Sequence, residues 1–358
     1  MGSMETAAIL CENAFAKGPG KTAAGLVRKS RKYKILGVID STCAGSDAGE
    51  LLDGAPNGIR IYSSLDDLIK AIGTTPNYLI IGVATIGGRL PLSFRKPISN
   101  ALEMGIGVIS GLHEFIGNDP EFKAIAERTG ASIIDIRKEP PLEKLRYYRN
   151  LARNLPCVRI PVLGTDAAIG KRTTAWAVVD ALNDMGIKAT FVATGQTGLL
   201  QGADFGIPLD AIRGDFVVGE LEAEIVRAYE IEHPKVIVIE GQGALSHPAY
   251  VTGSRAIVAA SSPNAVILQH APMRKYRTFH EEELHLPMPS IDEDMELVRV
   301  FAKCPVIAIA INHQRMTKNA VENIIANYEQ IYKIPATDVL LFGAEKIAKE
   351  IARLYSLG

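Results

Sequence analysis

Short apolar runs rich in Ile, Val and Ala alternate, along almost the whole chain, with stretches whose apolar residues recur at helical spacing. Runs too short to be helices and bounded by glycine or polar turns are the pattern of buried parallel strands, and the amphipathic stretches between them supply the crossover helices. The pattern predicts strands at 6–11, 34–39, 59–62, 78–84 and 106–110, and a second set at 157–163, 188–193, 235–240, 265–269 and 305–311. Between the two sets, "IDIRKEPPLEKLRYYRNLARNLP" is polar, charged and broken by Pro140-Pro141, so a boundary is expected within 138–156. The longest apolar runs, such as "YLIIGVA" and "VIAIAI", fall far short of the ~20 residues needed to span a bilayer.

This alternation predicts an α/β protein of two doubly wound parallel-sheet domains, Rossmann-like over 1–145 and P-loop NTPase-like over 146–358. At 358 residues the chain exceeds what one core normally fills, which is about 250–300 residues. The first domain carries Gly18-Pro19-Gly20-Lys21-Thr22 between its first strand and first helix, resembling the end of a phosphate loop. Phe15 stands where the leading glycine belongs, and the GxGxxG fingerprint of dinucleotide-binding turns is absent. Two readings stay open there: a phosphate or carboxylate site at the helix N-terminus, or a tight turn with a solvated lysine.

Composition narrows the partners. A formal net charge of -1 and a pI near 6.7 exert no bulk attraction on nucleic acid or an anionic membrane, so neither is an expected partner and a small molecule is. Cys11, Cys43, Cys157 and Cys304 are scattered, with no CxxC pair and no histidine at metal-site spacing. Together with a start that lacks a cationic stretch followed by a sustained apolar one, this predicts reduced cysteines in a cytoplasmic protein. A homo-oligomer is the expected assembly.

The second domain holds the candidate chemistry. Gly164-Thr165-Asp166-Ala167-Ala168-Ile169-Gly170-Lys171 follows a strand and opens a helix, with the glycine spacing of dethiobiotin-synthetase-like NTPases. Glycine allows the sharp turn, successive amides gather on an anion, and the helix adds its positive end. Phosphate loops usually place Ser or Thr after the lysine to complete Mg²⁺ coordination; here Arg172 holds that place, followed by Thr173 and Thr174. Cofactor binding is therefore assigned to Gly164, Thr165, Asp166, Gly170, Lys171, Arg172, Thr173 and Thr174. "KVIVIEGQGALSHPAY" aims Glu240 from a strand end at the same sheet edge, with His247 beyond it, and "NAVILQHAPMR" does likewise with His270 and Arg274. Between them Gly195, Gly198, Gly202, Gly206 and Gly214 lie among Asp204, Asp210 and Asp215, a composition that suits either close approach to a ligand or plain turns. His233, His280, His285 and His313 carry no usable pattern.

Taken together, "GTDxxxGK", "ATGQTG", "RGDF", "EGQGALSHPAY" and "SSPNAVILQHAPMR" resemble the DgcN-type D-glutamate N-acetyltransferases, two-domain proteins long described only as domains of unknown function. The resemblance covers nearly the whole chain and is most specific over 157–275. It implies acetyl-CoA as the cosubstrate and D-glutamate or a related acidic amino acid as acceptor. From the residues, Glu240, His247 and His270 are the catalytic candidates, one histidine taking a proton from the incoming ammonium; the alternative is that Glu240 caps the following turn and each histidine satisfies a backbone carbonyl. Gln196, Asp215 and Arg274 would bind the substrate, Arg274 by clamping a carboxylate. The chain departs from the relatives at "INHQRM", where Thr often replaces His313. Arg172 suits coenzyme A, whose phosphates are held and not cleaved. No metal is expected on this reading. The alternatives are a ligase or kinase using ATP with Mg, in which Thr173 and Glu240 would serve the metal, and a non-catalytic nucleotide- or CoA-binding regulator.

Overall fold

The structure, a computed structural model, describes residues 4–278 and 285–357. It divides into two compact units, Met1–Glu139 with Leu199–Gly202, and Pro140–Gly198 with Ala203–Gly358.

The first unit is built on β1 (Glu5–Leu10), β2 (Tyr33–Ile39), β3 (Ile61–Tyr62), β4 (Tyr78–Ile81), β5 (Gly107–Ser110) and β6 (Ile133–Asp135), all parallel in the order β3-β2-β1-β4-β5-β6. Strand order reverses direction between β1 and β4, as in Rossmann-like sheets. Most of its apolar strand residues are buried beside Leu26, Phe94, Ile98 and Phe122 from the covering helices, while Ile35, Leu36 and Ile133 are partly buried and Ile134 is exposed. The loop after β1 is tied down from within. The buried Asp40 carboxylate, at the end of β2, accepts the amides of Ala14 and Phe15, and the exposed Lys17 bonds back to Asn13.

The second unit has a seven-stranded parallel sheet: β7 (Val158–Gly164), β8 (Ala189–Ala193), β9 (Phe205–Gly206), β10 (Val236–Ile239), β11 (Val266–His270), β12 (Val306–Ile311) and β13 (Ala336–Thr337), in the order β13-β12-β11-β7-β10-β8-β9. Every residue of β7 is buried, as befits a strand with neighbours on both sides and helices on both faces. Because the strands are parallel, the turns after β7, β8, β10, β11 and β12 all open at one edge. That edge carries Gly164–Gly170, Thr194, Glu240, His270 and Asn312.

All ten strands expected from the apolar runs are present, and three more are not foreshadowed. β6, β9 and β13 span only two or three residues each, too few for any period to register. The run 78–84 pairs only as far as Ile81. A Cβ on Gly82 would come within 2.5 Å of Ile9 Cγ2, and the Gly82 carbonyl instead accepts the amide of Ala23. Among the described residues no helix is long and apolar enough to cross a membrane.

Candidate anion-binding site

The loop Gly164–Gly170 leaves the central strand and enters the helix Lys171–Asp184 through Gly170, whose φ of 102° is one a side chain would resist. Among the described residues no side chain caps this helix, and Thr174 makes the first bond back to Gly170, so the amides of its first turn point into the loop. The neighbouring turn comes equally close. A Cβ on Gly241 would lie 1.9 Å from the Val162 carbonyl and 2.8 Å from Lys171 Cδ, so only glycine lets the EGQG segment pass the lysine stem.

Side chains capture the loop's carbonyls one after another. Arg277 Nη1 donates to Thr165 O at 3.2 Å, Lys171 Nζ to Asp166 O at 2.6 Å, Arg274 to Ala167 O at 2.9 Å and to Ala168 O at 3.3 Å, and Asn312 Nδ2 to Ile169 O at 2.9 Å. In a trans peptide the N–H of the next residue points opposite to its carbonyl. Five carbonyls held to side chains therefore turn five successive amides, from Asp166 to Gly170, the other way. Backbone donors freed in a row in this way are what an anion nest is built from.

Lys171 is buried, and burial pulls its ammonium down to a pKa of about 8. Arg172 is half-buried, and its charge acts on the buried Glu240. Glu240 Oε2 accepts the amides of Thr194 at 2.9 Å and Gly195 at 3.2 Å, while Thr194 Oγ1 donates to the Glu240 carbonyl. Burial outweighs these bonds and the neighbouring cations, leaving the Glu240 carboxyl above its ordinary value. Thr165 and Thr174 are buried behind the loop, Thr165 against His270 Nδ1 at 2.9 Å and Thr174 donating to Gln269 Oε1; Thr173 is half-buried.

Asp166 is fully buried. Its Oδ2 accepts Arg274 Nη1 and the Thr278 amide, each at 2.8 Å, and its Oδ1, without a hydrogen bond among the described residues, lies 3.6 Å from His247 Nε2. Arg274, expected to clamp a substrate carboxylate, here braces the loop. Both its terminal nitrogens are engaged, by Asp166, two loop carbonyls, Thr278 Oγ1 and Gln314 Oε1.

The two histidines expected to be catalytic are both held by neighbours. His247 Nδ1 accepts the amides of Ala249 and Tyr250, both at 3.1 Å, which places the ring proton on Nε2 and leaves no lone pair for an incoming ammonium. Burial holds its pKa below the ordinary value. His270 is pushed by burial to about 4, so it is neutral and weakly basic, with Nδ1 against the Thr165 hydroxyl. Of the substrate candidates, Gln196 is buried at the start of the helix Gln196–Gln201, and Asp215 stands exposed ahead of the helix Val217–Glu232, outside this hydrogen-bonded group. His280 lies outside the described residues.

Residues not singled out from the sequence complete the site: Arg277, Asn312 and Gln269 behind the loop, and Ser246, which accepts Arg277 Nη2 at 3.1 Å and donates to the buried Asp294. His313 turns the other way, its Nδ1 at 2.7 Å from Asp338 Oδ2. Gln269 lies within β11 and Asn312 directly follows β12, whereas Arg277 and Ser246 stand seven residues beyond the ends of β11 and β10, where no sequence signal marks them.

A Rossmann-like sheet and a parallel sheet with a strand, phosphate-type loop and helix at its centre define a two-domain α/β protein with a P-loop domain. The chain belongs to the DUF1611 family. Its residues 146–348 match the "domain of unknown function (DUF1611_C) P-loop domain" and residues 41–139 the corresponding N-terminal Rossmann-like domain. A crystal structure of a DUF1611 family protein from Anabaena variabilis is 32% identical, spans 98% of this chain and 99% of its own, and superposes with a TM-score of 0.88. Two relatives are named D-glutamate N-acetyltransferase. The one from Tritonibacter scottomollicae is 32% identical, over 76% of this chain and 80% of its own, and the one from a Pseudoalteromonas species is 28% identical, over 82% and 88%.

Proposed function

We propose that this protein transfers the acetyl group of acetyl-CoA to the amine of an acidic amino acid, D-glutamate or a close analogue. The observation that carries the reading is a nest of loop amides with Arg172 at the position where a phosphate-cleaving loop needs a metal-ligating hydroxyl. A divalent cation beside Glu240 would meet Arg172 and Lys171, whose positive charges already act on that carboxylate, and Glu240 Oε2 is taken by two backbone amides. The residues do not fit a Mg²⁺ site. They suit a diphosphate that is gripped and left intact, as in coenzyme A. Relatives named for D-glutamate N-acetylation support the acceptor.

In the reaction the substrate ammonium loses a proton, and the amine attacks the thioester carbonyl carbon. The C–N bond forms, the C–S bond breaks, and the thiolate and solvent take up the proton balance. The pantetheine arm separates the diphosphate from the thioester, so the groups gripping phosphate are not those that meet the amine. On this reading Glu240 balances the charges of Arg172 and Lys171 and does not act as the base.

The test is an assay of purified protein with acetyl-CoA and D- or L-glutamate, following free thiol and N-acetylated product. One thiol per acetylated amine, unaffected by EDTA, is expected. Absence of thiol release with either enantiomer, together with Mg²⁺-dependent ADP formation, would replace this reading with the ligase or kinase.

A further inference from the structure

An anion nest works only while its peptides face the right way. If one peptide flips, an N–H aimed at the anion is replaced by a carbonyl oxygen, and attraction becomes repulsion. Loops of small residues such as Ala167-Ala168 have little of their own to prevent this, and Ala168 is held at φ 51°, where a non-glycine residue is disfavoured. The restraint comes from outside the loop. Arg274 and Arg277 follow β11, Asn312 follows β12, and together they hold the carbonyls of Thr165, Ala167, Ala168 and Ile169. Asp166 in turn fixes Arg274, and Ser246 supports Arg277.

We infer that Arg274, Arg277 and Asn312 are positioning residues for the bound anion, acting through the loop carbonyls they hold. Arg274 has no free terminal N–H to offer an anion, and Asn312 carries no charge. Their contribution is preorganisation, which lowers the ordering cost that binding would otherwise carry. The inference rests on the phosphate-binding part of the proposed function and not on acetyl transfer.

Titration calorimetry with inorganic pyrophosphate tests it independently of catalysis. Asn312→Ala should weaken pyrophosphate at least fivefold with an unchanged ionic-strength dependence, because no charge is lost, whereas Lys171→Met should weaken it and flatten that dependence. Arg277→Met should behave like Asn312→Ala in coupling non-additively with it, since both hold one loop, and Arg277→Lys should recover part of the loss. Thermal unfolding is followed alongside. A variant that loses stability but binds pyrophosphate within twofold of wild type has a purely structural residue, and that result overturns the inference. So does a wild-type protein that fails to bind pyrophosphate. If Arg277→Met does not fold, Asn312→Ala decides. Weakened pyrophosphate binding in a protein that never acetylates glutamate would leave the inference standing and remove the acetyltransferase reading.

Discussion

The Lys171 ammonium lies 2.6 Å from the backbone carbonyl of Asp166, folded across the same loop whose amides it is expected to assist. An anion entering the nest offers this buried cation a partner, and its pKa, about 8 in the protein alone, must then rise.

That linkage has a sign. Near pH 8.5 the unliganded lysine is partly deprotonated and the liganded one protonated, so binding takes up protons and affinity falls as pH climbs above about 8. Pyrophosphate titrations in two buffers of different ionisation enthalpy should differ by the uptake of up to about one proton. The difference should vanish in Lys171→Met; identical heats in both buffers for wild type would rule the coupling out.

Arg172 separates phosphate holding from phosphate cleavage. Arg172→Ser removes a charge-assisted contact worth roughly 1.5–3 kcal/mol, so acetyl-CoA should bind at least about tenfold more weakly. It also restores the Gly-Lys-Ser ending that coordinates Mg²⁺, so Mg-ATP should bind better than to wild type. Acetyl-CoA affinity equal to wild type would show that the guanidinium grips no phosphate.

His270 predicts an acid sensitivity. Its folded pKa of about 4 lies below the ordinary 6.5, so the unfolded chain binds more protons between those values and stability rises with pH across that window. The full effect is at most about 3.5 kcal/mol, at about 1.4 kcal/mol per unit. His270→Gln should flatten the dependence of denaturant stability between pH 4 and 6.5, and an unchanged slope would contradict the assignment.

Asp294 predicts the opposite slope. Burial raises its carboxyl to about 6, against an ordinary 3.8, so the folded state binds the extra proton and stability from this group falls as pH rises through about 4 to 6. Asp294→Asn keeps an acceptor for the Ser246 hydroxyl and should raise the melting temperature at pH 7.5 by more than at pH 4.5, with a gain of no more than about 3 kcal/mol. Equal shifts at both values would show that the charge carries no penalty.

The alternation of short apolar runs was enough to determine two parallel sheets, because a strand buried on both faces must be apolar throughout. The phosphate-type loop was legible too, since Gly170, Lys171 and a strand-to-helix change lie within a few residues of one another. What tertiary structure alone decided is how those residues are used. Arg274, Arg277 and Asn312 lie more than a hundred positions from the loop carbonyls they hold, and they arrive only because β11 pairs with β7 at Gln269 and Gly164, and β12 with β11 at Ile311 and His270. The sequence marks His247 as a titratable ring near a carboxylate. Two backbone amides in the turn after it take its lone pair. Side-chain chemistry is written in the residue type, whereas burial, tautomer and partner depend on which backbone atoms the fold brings within about 3 Å.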